Sequence, residues 1–400
     1  MSLAKHPKDQ TVLISGAGIA GPTLAFWLKR HGFSTTIVER ASELRLGGQN
    51  VDVRGAGRVV TRKMGIEDAI KSANTGELGV RFIDSSGSSI AEFPASKSES
   101  RGLTAELEIL RGALAKILYN QTTNSTEYLF GDYICAIDNE VDAVSVKFHS
   151  GLERTFSLVI IADGIRSKTR ELVFGGETQI RELGLYMAYL TIPRLPSDSN
   201  WALWQNATGG RAILLRPDNI GTMRASLSFL SPPCGYESLE QAEQKQVLKD
   251  KFRDAGGLAP RILDALDKTP ELYMDSIGQV KAPHWSRGRV ALLGDAGYCP
   301  SPISGMGTSL AFVGAYVLAG ELARAPDYRE AFANYERIMR PYVENAQQLA
   351  PGTPRLAHPK TQLGIRVFNQ LLRLAASPTV SAIGRRISKP KAERVMLPEY

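Results

Sequence analysis

Apolar residues along the chain fall into runs whose period and order predict the architecture. Thr11 to Ser15 is a short apolar strand followed by glycines. From Pro22 to His31 the apolar positions take a helical period, and Phe33 to Glu39 is a second strand, rich in β-branched residues and ending in an acid. Strand, turn, helix and strand make a βαβ unit. Leu158 to Ile161 and Val290 to Leu293 are unbroken apolar runs closed by Ala162-Asp163-Gly164 and Gly294-Asp295-Ala296. Lacking alternation, they read as parallel strands buried on both faces. Between them, from about Gly175 to Trp285, Tyr186–Ile192 and Ala225–Leu230 read as strands of a separate sheet, with a polar helix near Leu239–Asp254. Leu107, Leu110, Leu114 and Leu118 predict a helix over Glu106–Tyr119.

The C-terminal portion reads as helical. Thr308–Arg324 is largely apolar, as a buried helix is, and Tyr328–Gln348 is amphipathic. Gln362–Leu374 carries Ile365, Phe368, Leu371 and Leu372 on one face, with Arg366 and Arg373 elsewhere. Such a basic amphipathic helix lies on a membrane or, more commonly, packs on its own protein. The expected fold class is α/β. A Rossmann-like dinucleotide-binding domain, residues 1–174 and 286–350, is interrupted by a mixed β-sheet substrate domain over 175–285 and followed by a C-terminal helical segment and tail over 351–400.

Composition narrows the function classes. With 400 residues, 43% of them apolar, the chain can bury two cores. The longest apolar run, Leu310 to Gly320, is about half a membrane span, and Met1 to Gln10 has no apolar centre of the signal-peptide kind. Cys135, Cys234 and Cys299 are odd in number and far apart, which argues against a disulfide framework, and with five scattered histidines they offer no metal spacing. A cytoplasmic location is expected. The net charge of +7 comes without basic runs interleaved with aromatics, so an anionic cofactor rather than nucleic acid is the expected partner.

Gly16-Ala17-Gly18-Ile19-Ala20-Gly21 fits GxGxxG between a strand and a helix. Its glycines allow the tight turn, the approach of a pyrophosphate and close helix–strand packing, and the helix start presents free N–H groups to the phosphates. Glu39, 18 residues after Gly21, is placed to grip ribose hydroxyls. An acid there suits FAD or NAD and repels a 2′-phosphate, so the phosphate of any NADPH must bind elsewhere. Asp163-Gly164 and Gly294-Asp295 end two further apolar strands. Either turn alone is ordinary. With the fingerprint they imply a long ligand at one sheet edge, and a simple NAD dehydrogenase leaves them unexplained. The loop Cys299-Pro300-Ser301-Pro302-Ile303-Ser304-Gly305-Met306-Gly307 then leads into a helix start, a second anion-friendly position.

These motifs resemble, in order and spacing and over nearly the whole chain, those of the group A flavin monooxygenases, the family of p-hydroxybenzoate hydroxylase. Gly47 to Gly55, Glu108-Ile109-Leu110-Arg111-Gly112, Cys299 to Pro302, Leu310 to Tyr316 and the tail Leu397 to Tyr400 look most similar to the tetracycline destructases within it. The resemblance implies FAD held by Glu39, Arg111 and Asp295, together with Gly16, Gly18, Ala20, Gly21, Arg40, Asp163, Gly164, Gly294, Pro302, Gly305, Met306 and Gly307. It places Asp52 beside the isoalloxazine and Arg45 near the nicotinamide cofactor. It also implies reduction by NAD(P)H, NADPH being favoured, and oxygen transfer from a flavin C4a-hydroperoxide to an aromatic or polycyclic substrate by a monomeric enzyme. The flavin carries the chemistry, so no catalytic side chain and no metal is expected. Met187, Tyr189, Trp204, Gln205, Arg211 and Arg224 are candidate walls of the substrate pocket. Two departures stand out: the family's usual Gly-Gln-Gly-x-Asn is Gly305-Met306-Gly307-Thr308-Ser309 here, and a frequent acid before Ala315 is Gly314. The leading expectation is hydroxylation of a polycyclic or phenolic ketone, tetracycline the sharpest candidate. A polyketide-tailoring hydroxylase or a non-catalytic FAD protein that sequesters a drug are the alternatives. A flavin halogenase is disfavoured by the spacing of Trp201 and Trp204.

Overall fold

The computed structural model describes residues 10–95, 107–269, 272–350, 352–377 and 397–400. Thr11–Ser15 lies at the centre of a six-stranded sheet, flanked by Leu158–Ile161 and Ser34–Glu39. Val290–Leu292 and Thr126–Phe130 extend it, and Ser286–Arg287 closes one edge as its one antiparallel strand. Because Val12 pairs in parallel with Leu158, and Val159 with Val290, the three strands that end in glycine-and-acid turns finish side by side at one edge. Their unbroken apolar sequences follow from burial on two faces. Helices Ala20–Arg30 and Gly307–Arg324 cover one face. The antiparallel meander Ile134–Asn139, Val144–Phe148 and Glu153–Phe156 adds Val144, Val146, Phe148 and Phe156 to the same core.

The second sheet has seven strands, ordered Leu272–Lys281, Gln179–Pro193, Thr222–Leu230, Arg211–Pro217, Ala202–Ala207, Gly79–Ile83 and Ser89–Pro94. The last two come from the N-terminal part of the chain and join through the sheet's one parallel pairing, Ala202 with Val80. Alternation along the strands gives the sheet two characters. On one face Tyr186, Ala188, Leu190, Ile213, Leu227 and Phe229 pack under helices Gln241–Phe252 and Ala259–Leu266. The other face carries Met187, Tyr189, Trp204, Leu214, Arg216, Tyr273 and Asp275, in register across neighbouring strands.

Gln362–Ala376 lies against this second face, with Phe368 and Leu372 packed against the cluster of Val80, Phe82 and Ala202, which Trp204 and Leu214 also join. Its approach is pinned by Asn206 Nδ2 donating to Ala357 O (3.1 Å) and by the Ser228 hydroxyl meeting His358 Nε2 at 2.8 Å. His358 Nδ1–H is committed to Pro354 O, so Nε2 is the acceptor. The tail is seated too: Tyr400 donates to Glu321 (2.7 Å), its ring over Gly320, where a Cβ would come within 2.2 Å. Among the described residues no helix is long and apolar enough to cross a membrane.

The helix expected over Glu106–Tyr119 begins only at Arg111 and runs to Thr122, and Glu106 lies outside the described residues. Glu108–Leu110 is instead a strand paired with Asn50–Asp52, and Leu110 is extended (φ −64°, ψ 133°). Leu107 and Leu110 are buried as strand-end residues, so the four-leucine spacing mixed two elements. Arg111 therefore stands at the helix start, not within it.

Candidate cofactor and active site

The fingerprint turn works by close contact. Gly16 has φ +109°, and a Cβ there would lie 2.6 Å from Ala162 O, because the turn after Leu158–Ile161 presses against it. At Gly21 a Cβ would lie 2.0 Å from Gly16 O. The helix that follows has no side-chain cap and no acid in its first turn, and the same holds for Gly307–Arg324. By contrast, Asp327 and Thr361 cap the helices Tyr328–Gln347 and Gln362–Ala376. Both uncapped starts leave N–H groups and a partial positive charge for an anion. Glu39 accepts from Ala17 N (2.9 Å) and Ala41 N (3.1 Å), which ties the acid to the fingerprint loop while each oxygen keeps a lone pair. Arg45 approaches Glu39 at 3.5 Å but is 63% exposed, a weak pair. Arg40 lies over the Tyr133 ring at 4.9 Å.

Arg170, which sequence reading missed, holds two of the turns together. It donates to Ala296 O (2.8 Å) from one side and to Ile165 O (3.0 Å) from the other. Asp163 is in this joint with Oδ1 buried and unpartnered, and burial pushes its carboxyl up despite Ser167 and Thr169 nearby. Burial also pushes Asp295 up, though its side chain is open to solvent, the combination expected on the wall of a deep cleft. Gly307 lies beside it, an added Cβ falling 3.6 Å from Asp295 Oδ1. Arg111 reaches over the fingerprint: its Nη2 is 3.5 Å from where a Gly18 Cβ would sit, and its stem packs on Gly48. Burial, then the charge of Arg45, lowers its pKa, while Glu39 and Asp295 act the other way without pairing with it. Ser301, also missed, is the one non-glycine with positive φ among the described residues (+82°), and its buried hydroxyl has no partner. Uncapped helix starts, a guanidinium with no counter-ion among the described residues, and the unpartnered Asp163 Oδ1 and Ser301 hydroxyl beside three adjoining strand ends fit a dinucleotide with two phosphates and several hydroxyls.

Asp52 sits where this cradle meets the second sheet. Its Oδ2 takes Arg54 (2.7 Å), while Oδ1 is buried and unpartnered. The Ser309 departure is put to use here: its hydroxyl accepts from Arg54 N at 2.9 Å, fastening this loop to the start of Gly307–Arg324. Behind Asp52, Arg216 joins Glu77 (2.7 and 3.0 Å) and Glu108, and Glu108 also accepts from Asn50 (2.9 Å) and Thr75. Two buried carboxylates thus share one guanidinium. Burial, and then Glu77, push Glu108 up to about 7 against the pull of Arg216. The folded carboxyl keeps its proton to near neutrality, whereas the unfolded one releases it near the usual carboxylate range. The stability this group contributes is therefore complete at acid pH and is lost as pH rises through about 7. Glu108→Gln, which cannot ionise, is expected to flatten the fall in Tm between about pH 5 and 8, a difference on the order of 3 kcal/mol. Parallel melting curves for the two proteins across that range would refute the assignment.

Of the expected wall residues, Met187 and Tyr189 are on the face toward the cleft. Tyr189 stacks on Tyr273 (6.2 Å, 25°), and burial raises both phenols although Tyr273 is 56% exposed. Trp204 is on the same face, under the C-terminal helix. Gln205 and Arg211 are corrections. Gln205 points through the other face to Ala255 O, Gly256 O and Leu258 N. Arg211 bonds Thr208 O, Lys251 O and Asp254, so both brace the covering helices. Arg224 is committed to Asp218 (3.1 Å) and Thr191 (2.6 Å). Sequence reading missed Arg216, Tyr273, Asp275 and Arg166, which grips Asp275 at 2.8 Å. Alternation along Leu214-Leu215-Arg216 was the available signal for the first of these.

Comparison with known proteins agrees with this geometry. Residues 9–350 match the profile of the FAD binding domain family. A flavin-dependent monooxygenase of Legionella longbeachae is 40% identical over 343 residues, spanning 85% of this chain and 88% of that protein. The flavin-dependent monooxygenase eupH of Phoma sp is 36% identical over 424 aligned positions, 97% of each chain. Among solved structures, the tetracycline destructase Tet(55) superposes with a TM-score of 0.81 at 32% identity, covering 99% of this chain and 100% of its own. With the strand ends, the cradle and these relatives in agreement, the chain belongs to the FAD binding domain family and is a flavin-dependent monooxygenase.

Proposed function

We propose that the enzyme uses NAD(P)H and dioxygen to hydroxylate a flat polycyclic phenol or ketone, tetracycline-type molecules being the sharpest candidates. The observation that carries this is the Tyr189–Tyr273 stack on the sheet face that meets the cradle, the same face against whose far strands Gln362–Ala376 packs. When bound, FAD accepts the reducing equivalents and activates dioxygen. The chain's part is to hold and orient. Arg111 and the two uncapped helix starts offset the phosphates, and the start of Gly307–Arg324 favours negative charge near it. The aromatic pair gives a planar substrate a face to stack on, while Phe368 and Leu372 close the far end of the same sheet face over Val80 and Phe82. The likeness to Tet(55), a tetracycline destructase, favours tetracyclines.

The test is the absorbance of the purified protein with NADPH and air, with and without tetracycline. A yellow protein that consumes NADPH and removes tetracycline's near-UV band only in the complete mixture supports the reading. A yellow protein that oxidises NADPH yet spares tetracycline moves the substrate to other polycyclic phenols. Stoichiometric drug binding without turnover would instead favour sequestration.

A further inference from the structure

The C-terminal helix Gln362–Ala376 is apolar on two sides. Phe368 and Leu372 face the substrate sheet, whereas Leu363, Val367, Leu371 and Leu374 are each more than half exposed. At 3.6 residues per turn these four fall within about 80° of the circumference, a continuous outward stripe. Leu356, on the short helix Thr353–Ala357 just before it, is equally exposed. Arg366 and Arg373 are exposed along one border of the stripe. A helix that serves only its own core needs one apolar stripe, and the second has no protein partner among the described residues.

The distribution of charge gives that stripe a partner. Between Asn345 and Ala392 the sequence has eight Lys and Arg and no Asp or Glu. The remaining 40 basic residues meet 41 acids, so the whole net charge of +7 is concentrated on the segment that contains this helix. An apolar stripe bordered by arginines, within a stretch free of acids, is the pattern of a helix that lies in a bilayer interface and is drawn to anionic headgroups.

We infer that the outward face of Gln362–Ala376 docks on an anionic lipid bilayer, the leucines entering the acyl boundary and the arginines meeting headgroup phosphates. Each basic side chain near such a surface contributes about fivefold in partitioning, and each buried CH₂ about fourfold. Docking stands on the helix and the charge alone. Its consequence, that the cleft beneath the same helix would open on a surface where apolar polycycles collect, rests on the proposed function.

The test uses the FAD-loaded full-length protein with vesicles of phosphatidylcholine, with and without phosphatidylglycerol, at low and high salt. Co-sedimentation is expected only with phosphatidylglycerol and is expected to weaken with salt. Leu363→Gln/Leu371→Gln is expected to lower the partition coefficient about tenfold or more while the flavin spectrum and Tm stay unchanged. Should that variant not fold, Arg366→Glu/Arg373→Glu is expected to leave the protein in the supernatant. Wild-type protein that stays unbound at low salt overturns the inference, as does equal binding to neutral vesicles. Binding unchanged by the leucine substitutions overturns it as well, since charge alone would then suffice. Light scattering that finds a wild-type dimer and a monomeric leucine variant would assign the stripe to a second copy of the chain.

Discussion

Arg111→Ala is expected to purify as a folded, nearly colourless protein whose FAD affinity has fallen about a hundredfold or more. The guanidinium is held over the fingerprint loop by the packing of its stem on Gly48. Neither Glu39 nor Asp295 pairs with it, although the charge of each reaches it. Among the described residues this is a largely buried cation with no counter-ion, a costly arrangement that an arriving anion would relieve. A charge-assisted contact to a phosphate is worth about 3 kcal/mol once water is excluded, which is the hundredfold expected. Stability supplies an independent readout. Removing an uncompensated charge leaves the apoprotein's Tm unchanged or slightly higher, while the rise in Tm on adding FAD is lost, since that rise reports the affinity. Arg111→Lys keeps a point charge without the planar fork and is expected to fall between the two. An alanine variant whose apoprotein melts several degrees lower while still gaining the full stabilisation from FAD would make Arg111 a packing residue.

What the sequence disclosed about this cradle follows from how few residues each position tolerates. Strands buried on both faces must be apolar throughout, so Leu158–Ile161 and Val290–Leu292 stand out from amphipathic neighbours. The turns after Thr11–Ser15 and Val290–Leu292 need glycine for positive φ and close approach, which keeps the pattern visible at Gly16 and Gly294. The second sheet was less legible because a strand with two occupied faces does not announce which one looks at the ligand. Tyr189 and Gln205 were equally plausible until the helices covering one face were known. The Glu77–Glu108–Arg216 cluster was hidden for another reason: its members lie on three distant segments, and only the pairing of Glu108–Leu110 with Asn50–Asp52 brings them near Asp52. That pairing also misled the helix assignment, since Leu107 and Leu110 happen to continue the spacing of Leu114 and Leu118.

Gly21→Ala is expected to cost the enzyme both its flavin and much of its stability, and the reason separates packing from propensity. Gly21 lies within the helix Ala20–Arg30 and is not among the glycines with positive φ. On helix propensity alone, alanine there would stabilise by about 1 kcal/mol. The contact argues the opposite: the new methyl would stand 2.0 Å from Gly16 O and 3.3 Å from Ile14 Cγ2, so helix and turn must part by an ångström or more. The atom in the way is backbone, fixed by Gly16 N donating to Val38 O at 2.8 Å, and cannot swing aside as a side chain would. A loss of about 4 kcal/mol or more is expected, together with FAD binding, because the displaced amides are those that face the phosphates. Gly65→Ala is the matched control. Gly65 ends the helix Gly55–Met64 with φ +74°, and a Cβ there meets nothing within 4 Å. Its cost is therefore backbone strain alone, about 1–2 kcal/mol, with the flavin retained. Thermal melts with and without FAD distinguish the two. If Gly21→Ala were to stay yellow and melt no lower than Gly65→Ala, the close seating of the helix on the fingerprint turn would not be what holds the cofactor site together.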